Sequence, residues 1–426
     1  MRLKDKENSI TVIGLGFVGL TTALGFADIG FRVYGIEKNA ERANCINAGQ
    51  LPFFEPGLDN AIKALIGSNF TVYDIYDSVL DSKYVFFCVG TPFGDDGQAD
   101  LSYIFGALDS CLDVLKTSKA ENRPVFIIKS TVPPSTTFGR IKKYIEEKGF
   151  VVGKDLYLAN NPEFLREGYA WEDFTKPDRI VIGCDDDYVA TAMAELYAPF
   201  NTPIHFVTGN TAEFIKYVSN ATLATLISFS NEMAELAETI GDIETSQAFR
   251  ILHEDGRWHN GKMSTYLYPG CGYGGYCLPK DTTALSRFAK TKGMDTAILN
   301  EVINRNETMP HSVAERITKH ADKDGTIGIL GLSFKPSSDD VRESSSAKII
   351  LELIKLGYRH FVVYDPVAND VFAKTYRLNA EIDYAKNMNE VMAKGNPVVI
   401  LTAWDEFRSL KNVETKIQVL DYRYML

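Results

Sequence analysis

The sequence predicts an α/β fold in three parts: a doubly wound N-terminal domain, a central all-α segment and a smaller α/β domain at the C-terminus. Three observations carry this. Short apolar runs alternate with helical stretches from Ile10 to Ile182, the signature of a parallel sheet covered on both faces. Thr211 to about Ile240 then reads as one helical stretch without Gly or Pro. A second strand–helix alternation begins near Thr326. The boundaries expected are 1–208, 209–310 and 311–426, in keeping with a chain of 426 residues, too long for one ordinary core.

The first unit opens with a strand at Ile10–Ile13, a glycine turn Gly14-Leu15-Gly16-Phe17-Val18-Gly19, a helix over Leu20–Ile29 stopped by Gly30, and a strand at Phe31–Ile36. Further strands are predicted at Tyr84–Val89, Val125–Ile128, Leu156–Ala159 and Ile180–Ile182. In the central helix Leu223, Leu226, Ile227 and Ser230 recur at helical spacing, which predicts a buried face. Intrachain packing and a subunit interface both suit such a face. The last unit reads as a strand Thr326–Leu332, a helix Ser344–Leu356 stopped by Gly357, and strands at Phe361–Tyr364, Val398–Thr402 and Ile417–Leu420. The two α/β units share a plan but no repeated sequence.

Composition narrows the function classes. With 45% hydrophobic and 24% charged residues the chain is an ordinary globular protein. No segment reaches the roughly 18 uninterrupted apolar residues of a membrane span. The N-terminus, MRLKDKENSI, lacks the apolar core of a signal peptide, so a cytoplasmic location is expected. A net charge of −11 argues against a nucleic-acid partner, but not against a small anion held by local cations. The six cysteines form no CxxC pair and no Cys/His cluster of zinc spacing. Reduced thiols and no metal are expected.

The glycine turn brings backbone close to a pyrophosphate and aims helix N-terminal amides at it. Alone it is weak evidence, since glycine also serves tight packing. Here it joins a strand to a helix, and an acid, Glu37, ends the next strand 18 residues after Gly19, near the expected spacing of about 20. A carboxylate there binds both ribose hydroxyls and repels a 2′-phosphate, so NAD is favoured over NADP. Lys38 beside it leaves some NADP tolerance open. The ends of two more strands, Cys88-Val89-Gly90-Thr91-Pro92 and Ser130-Thr131-Val132-Pro133-Pro134, fall where a doubly wound sheet binds ligands. Thr131 suits a ligand oxygen or a turn cap equally.

Three patterns point to chemistry. In Asn161-Pro162-Glu163-Phe164-Leu165-Arg166-Glu167-Gly168 two carboxylates lie four apart. One helical turn would put them on one face, where one can act as a general base. A solvated turn is the plainer alternative. Lys216 and Asn220, also four apart, make a donor pair suited to an oxyanion, although alone they would pass for surface helix. The run Gly270-Cys271-Gly272-Tyr273-Gly274-Gly275-Tyr276-Cys277-Leu278-Pro279-Lys280-Asp281 is dense in glycine, which makes sense where backbone approaches a ligand. Cys277 ends this loop just before a helix start expected at Pro279. The helix dipole and Lys280 would favour a thiolate there.

Together these pieces resemble the UDP-glucose/GDP-mannose dehydrogenase family. The resemblance rests on GLGFVG at 14–19, GTP at 90–92, STVPP at 130–134, NPEFLREG at 161–168 and Lys216 and Asn220 in EFIKYVSNATLA. It continues through GYGGYCLPKD at 272–281, GLSFKPSSDDVRESS at 331–345, YDP at 364–366 and DYR at 421–423. They occur in family order across nearly the whole chain, and GYGGYCLPKD is most similar to the bacterial UDP-glucose 6-dehydrogenases.

The resemblance implies a Rossmann-type NAD domain, a helical dimerisation domain carrying the catalytic Lys, Asn and Cys, and a smaller Rossmann-like domain for the nucleotide sugar. It implies a four-electron oxidation of the C6 alcohol of UDP-glucose to UDP-glucuronate with two NAD⁺, through a thiohemiacetal and a thioester. Cys277 matches the nucleophile, Lys216 and Asn220 the oxyanion pocket, Glu163 the thioester-hydrolysis residue, and Asp281 and Thr131 water-organising positions. Cofactor contacts are implied for Gly14, Gly16, Phe17, Val18, Gly19, Glu37, Lys38, Gly90, Thr91, Thr131, Glu167, Lys280 and Arg342. Substrate contacts are implied for Phe164, Leu165, Glu167, Lys216, Asn220, Arg257, Tyr268, Gly274, Lys335 and Arg423. The partner is a small nucleotide sugar, with no nucleic acid or membrane, and a homodimer is expected.

The chain departs from the family pattern at Asp255-Gly256-Arg257-Trp258-His259, where Ile-Gly usually follows the arginine, and at Glu37, where Asp is usual. GDP-mannose and an N-acetylated UDP-hexose stay open as substrates. A catalytically silent nucleotide-binding protein is the alternative of another class, and the joint presence of Cys277, Lys216, Asn220, Glu163 and Asp281 argues against it.

Overall fold

Strand β1 (Ser9–Ile13) is buried along its whole length, as a strand flanked on both sides and covered on both faces must be. A computed structural model describes residues 8–92, 94, 97–117, 123–255, 266–412 and 417–426. They fall into two units, Met1–Val218 and Ser219–Leu426.

The first unit is built on an eight-stranded sheet of order β3-β2-β1-β4-β5-β6-β7-β8. The further strands are β2 (Arg32–Ile36), β3 (Phe70–Tyr73), β4 (Tyr84–Phe87), β5 (Val125–Ile128), β6 (Tyr157–Asn160), β7 (Ile180–Gly183) and β8 (Ile204–Val207). Alternation lets each of β4 and β5 serve two cores: Phe86 and Ile127 face one cluster, Val85, Phe87, Phe126 and Ile128 the other. The order reverses at β1, so the ends of β1 and β4 flank the crevice where such sheets bind ligands. The expectation of a parallel sheet fails at one pair. β6 and β7 are antiparallel and meet only at Asn160 and Gly183, so β7 runs back beside the segment that follows β6.

Helix α1 (Phe17–Asp28) follows the glycine turn, and α2 (Asp187–Tyr197) follows β7. The stretch without Gly or Pro folds as one helix, α3 (Gly209–Ile240). Then come α4 (Thr245–His253), α5 (Cys277–Thr291) and α6 (Ala297–Thr318). A five-stranded parallel sheet of order β11-β10-β9-β12-β13 closes the chain, with β9 (Thr326–Leu330), β10 (His360–Tyr364), β11 (Glu381–Tyr384), β12 (Val398–Ile400) and β13 (Val419–Asp421).

Three strands escape the sequence reading, β3, β8 and β11, and all three are sheet edges. Edge strands are covered incompletely and lose the continuous apolar run. In β8, Ile-His-Phe-Val, the two middle residues are exposed. The face of α3 also differs from expectation. Ser230 is buried as expected, but Leu223, Leu226 and Ile227 are only half-buried, and Ala224, Ser228, Asn231 and Ala234 are buried instead. Small side chains let neighbouring elements approach, and the larger ones are left at the margin.

The two α/β units use one turn twice. Gly14 (φ +85) donates its N–H to Ile36 O at 2.8 Å, and Gly331 (φ +94) donates to Tyr364 O at 2.8 Å. Both sit in the left-handed region that favours glycine. The acid that follows the second strand then receives the next amide. Leu15 N–H donates to Glu37 Oε2 at 3.1 Å, and Leu332 N–H to Asp365 Oδ2 at 2.8 Å. Asp365 goes further, also accepting from the backbone of Ser333, Val367 and Ala368, the Ser333 hydroxyl and the Trp404 indole. Removing so many charge-assisted bonds strands buried donors, at about 3 kcal/mol or more. Asp365→Ala is expected to lower the melting transition of the C-terminal sheet by several degrees, read by thermal unfolding; an unchanged melt would show that this carboxylate is dispensable.

Candidate active site

Each unit carries its own cluster of chemistry-bearing residues. In the first, the turn between β1 and α1 is shaped for close approach. A Cβ on Gly19 would stand 1.8 Å from Gly14 O, whereas one on Gly16 would meet nothing within 4 Å. Open space thus lies over the turn where α1 presents its first amides, those of Phe17, Val18 and Gly19. Glu37 is buried, and its carboxylate accepts from Leu15 N, Asn39 N at 2.8 Å and Arg42 Nη1 at 3.2 Å. These contacts fix its position, and a carboxylate offers about four lone-pair sites, so capacity remains for a ribose hydroxyl. The residues fit a dinucleotide. The Lys38 ammonium lies 5.5 Å over the Tyr76 ring.

The ends of β4 and β5 are stitched together. Thr91 Oγ1 donates to Thr131 O at 2.9 Å, and Ser130 Oγ donates to Val89 O at 2.6 Å. Gly90 is exposed and Thr131 half-buried, on the rim of the crevice.

Glu163 and Glu167 do not share a helical turn. Residues 161–166 form no helix, because Pro162 and a pull on Glu163 from its own loop shape them otherwise. Leu165 N–H donates to Glu163 Oε2 at 2.6 Å. The other oxygen, Oε1, pairs with Lys216 Nζ at 3.0 Å, each side chain 5% exposed. Lys216 Nζ also lies 5.6 Å from the Phe164 ring, whose face carries the Arg179 guanidinium at 4.3 Å. Glu163 and Lys216, singled out separately in the sequence, are thus one buried ion pair. Glu167 is half-buried.

The second unit holds the other cluster. α5 starts at Cys277, two residues before the start expected at Pro279. Proline suits a helix's first turn, not only its first position. Cys277 therefore lies within the helix N-terminal turn, half-exposed. Asp281 is buried, and its two oxygens are divided between Lys280 Nζ at 2.5 Å and Asn220 Nδ2 at 2.6 Å. Burial pulls the Lys280 ammonium toward neutrality, but Asp281 and Cys277 outweigh it and raise its pKa. Lys280, expected among the cofactor contacts, is thus a buried cation held by Asp281 in the same helical turn as Cys277.

The glycine loop before α5 packs on the C-terminal domain. A Cβ on Gly274 would come within 2.3 Å of Glu343 O, and Gly275 N–H donates to Arg342 O at 2.9 Å. Arg342 pairs with Asp340 and lays its guanidinium 4.7 Å from the Tyr276 ring. A Cβ on Gly270 would strike the Arg423 guanidinium at 2.3 Å, and Arg423 Nε is buried without a hydrogen-bond partner among the described residues. Tyr268 donates to Tyr424 O at 2.9 Å, and Lys335 Nζ lies 5.5 Å over Phe334. The loop brings Gly270, Gly274 and Tyr268 to Arg423 and Arg342. Arg257, Trp258 and His259 lie outside the described residues.

Sequence reasoning missed three buried groups around these clusters. Glu55 accepts from Gly168 N and Ala170 N at 2.7 and 2.8 Å, fixing the far end of the loop that carries Glu163. Glu213 on α3 accepts from Thr136 N at 3.3 Å and Thr137 N at 2.7 Å. Burial raises its pKa against those hydrogen bonds. Lys129, at the end of β5, is 5% exposed. The partners described lie far along the chain; Glu55 holds backbone amides more than a hundred positions away.

Comparison with known proteins agrees along the chain. Residues 8–201 match the UDP-glucose/GDP-mannose dehydrogenase family's NAD binding domain, 210–308 its central domain and 328–426 its UDP binding domain. A UDP-glucose 6-dehydrogenase of Rhizobium meliloti is 37% identical over 413 residues, 94% of this chain and 90% of that one. One of Haloferax volcanii is 34% identical over 408 residues, 94% of this chain and 92% of that one. A solved UDP-glucose dehydrogenase from Pyrobaculum islandicum superposes with TM-score 0.89 at 34% identity, covering 100% of this chain and 96% of that one. A UDP-D-ManNAc dehydrogenase from Pyrococcus horikoshii gives 0.80 at 26%, covering 98% and 99%.

Glu55→Gln turns an amide N–H toward one of the two backbone donors, a loss of about 1–3 kcal/mol. The expected result is a fall of about tenfold or more in kcat/KM for the sugar, with the dissociation constant for NAD⁺ unchanged by fluorescence titration. Loss of NAD⁺ affinity instead would show that Glu55 supports the cofactor turn rather than the Glu163 loop.

Proposed function

The chain belongs to the UDP-glucose/GDP-mannose dehydrogenase family, and we propose that it oxidises the C6 alcohol of UDP-glucose to the carboxylate of UDP-glucuronate. Membership carries the activity class, an NAD-dependent oxidation of a nucleotide sugar. The observation that carries the four-electron reading is Cys277 in the first turn of α5, beside the Lys280–Asp281–Asn220 cluster. A dehydrogenase stopping at the aldehyde would need no thiol. UDP-glucose is supported by the relatives whose names carry it, at 34–37% identity over most of the chain.

We read the domains as 1–208 for NAD, 209–310 for dimerisation and the thiol, and 311–426 for the nucleotide sugar. The turn at Gly14–Gly19 and Glu37 would hold NAD⁺, which accepts a hydride from C6 at each oxidation. The chain's own residues do the rest. The Cys277 thiolate, favoured by the helix dipole and the Lys280 charge, adds to the C6 aldehyde and forms a C–S bond. As the C–S bond forms, the carbonyl electron pair passes to oxygen, and this thiohemiacetal oxyanion becomes the thioester carbonyl oxygen when C6 gives up its second hydride. Water then adds to that carbonyl, the C–S bond breaks, and the thiolate leaves. Glu163 takes the proton from this water, and Lys216 and Asn220 donate to the oxyanion. Asp281 holds Asn220 and Lys280 in place.

A cytoplasmic homodimer completes the reading. Phe229, Leu236 and Ile240 on α3 are 52%, 49% and 66% exposed, and Ile251 on α4 is 58% exposed. A stripe of large apolar side chains at helical spacing suits a second copy better than water. Among the described residues no helix is long and apolar enough to cross a membrane.

With limiting sugar the protein is expected to yield two NADH per UDP-glucose at 340 nm and none with GDP-mannose or UDP-N-acetylglucosamine. Activity on another sugar alone would move the substrate, and none on any would leave a silent binder. Cys277→Ser is expected to release aldehyde or stall after one hydride transfer; unchanged acid production would remove the thiol from the mechanism. Placing aspartates at Phe229 and Leu236 is expected to shift the sedimentation coefficient to that of a monomer, and a parental value would place the interface elsewhere.

A further inference from the structure

The last turn of the chain is fastened on both sides of Arg423. Tyr422 lays its ring 4.5 Å from the Arg316 guanidinium, and the Tyr424 hydroxyl donates to Glu238 Oε1 at 2.8 Å. Arg316 Nη2 pairs with that same carboxylate oxygen at 2.5 Å. One ion pair, between α6 and the C-terminal end of α3, thus grips both chain neighbours of Arg423. One turn earlier on α3, Glu235 Oε1 accepts from the Ser312 hydroxyl of α6 at 2.6 Å, which ties the two helices together beside the pair. The backbone of the segment is held as well. Tyr268 donates to Tyr424 O at 2.9 Å. The carboxylate of Asp421, at the end of β13, accepts from the backbone N–H of Arg423, Met425 and Leu426 at 2.9, 2.6 and 2.8 Å.

Tyr424 sits at φ +52, a left-handed conformation unfavourable for a bulky side chain, which persists only where its surroundings over-determine it. Fold stability is a poor reason to build such a clasp. The Glu238 side chain is 41% exposed, and an ion pair that open to water adds little. What the clasp does fix is Arg423. A Cβ on Gly270 would meet its guanidinium, and Gly270 is itself pinned, its N–H donating to Asn231 Oδ1 at 2.7 Å. Arg423 Nε is buried with no hydrogen-bond partner among the described residues. A buried donor left unmatched is costly in the free protein, and a planar guanidinium is suited to phosphate oxygens. Arg423 lies in the stretch, 328–426, that matches a UDP binding domain.

We propose that Tyr424 and Glu238 are positioning residues for the nucleotide: clasped by Arg316, they hold Arg423 in the one conformation from which its guanidinium donates to a phosphate of UDP. A side chain set in advance need not be ordered when the ligand arrives, and the affinity gained is that saved entropy. The inference rests on the nucleotide-sugar reading of the C-terminal domain given above.

The test uses the full-length protein and three substitutions. Tyr424→Phe keeps the ring and deletes the bond to Glu238. Glu238→Gln keeps an acceptor for Tyr424 and removes the charge that holds Arg316. Arg423→Gln removes the group being positioned. UDP affinity is measured by isothermal titration calorimetry carried to millimolar ligand. Y424F is expected to raise the UDP dissociation constant and KM for UDP-glucose by about fivefold or more. Its kcat is expected to stay within about twofold, and its NAD⁺ affinity and melting temperature near the parental values. E238Q is expected to shift the same constants in the same direction. Because the clasp acts through Arg423, Y424F is expected to add less than about twofold when combined with R423Q. Parental UDP affinity in both Y424F and E238Q would overturn the proposal, as would a Y424F loss that persists in full on the R423Q background. If Y424F does not fold, E238Q, which alters an exposed carboxylate, carries the same comparison. An R423Q protein that binds UDP like the parent would remove the proposal and leave the nucleotide reading standing; a parent that binds no UDP would remove both.

Discussion

Charge placed where water does not reach is the constraint around which the chemistry of this chain is arranged. An ammonium or carboxylate taken out of water loses several kcal/mol of hydration and persists only if its surroundings are matched to it. In the first unit Glu163 meets Lys216. In the second Asp281 meets Lys280 and Asn220. Such pairs add little net stability, and well-packed apolar groups would serve a core as well or better. In a water-poor setting a fixed donor or cation acts with far more effect on a developing charge than it would in solvent.

The scaffold explains how those side chains are held. Segments next to them are fixed by other buried groups: Glu55 for the far end of the Glu163 loop, Glu213 for the turn beyond β5, and Asn231 and Asn306 for the glycine loop before Cys277. In that loop the missing side chains matter as much as those present. Gly270, Gly272 and Gly274 stand where a Cβ would collide with Arg423, Asn306 and the backbone of Glu343, so the density of glycine reflects close packing within the protein.

Much of this was legible in the sequence, for reasons that can be stated. The inner strands are uninterrupted apolar runs because they are covered on both faces, and β5 was read at Val125–Ile128 without error. The long helix declared itself by the absence of breakers. The edge strands β3, β8 and β11 did not, since half-exposed residues blur the run. Individual site residues were visible where their type was costly or unusual for its context, as with Cys277 among glycines. Their pairing was not: Glu163 with Lys216 and Asn220 with Asp281 are joined across 53 and 61 positions. The one-turn spacing of Glu163 and Glu167 misled, because Pro162 and a backbone amide hold that segment out of a helix. Glu55, Glu213 and Lys129 were invisible because backbone groups or a distant amide are their partners.

The turn that occurs twice illustrates how one geometry can be put to opposite use. After β2, the carboxylate of Glu37 keeps an unfilled share of its lone pairs beside open space. After β10, Asp365 has spent its share on the surrounding loops. The first acid can discriminate between molecules that arrive from solution; the second can only recognise its own polypeptide. The carboxylate at 37 is left with capacity beyond its own chain, whereas the one at 365 is committed to the loops around it. Elsewhere in that domain the buried Nε of Arg423 has no hydrogen-bond partner among the described residues.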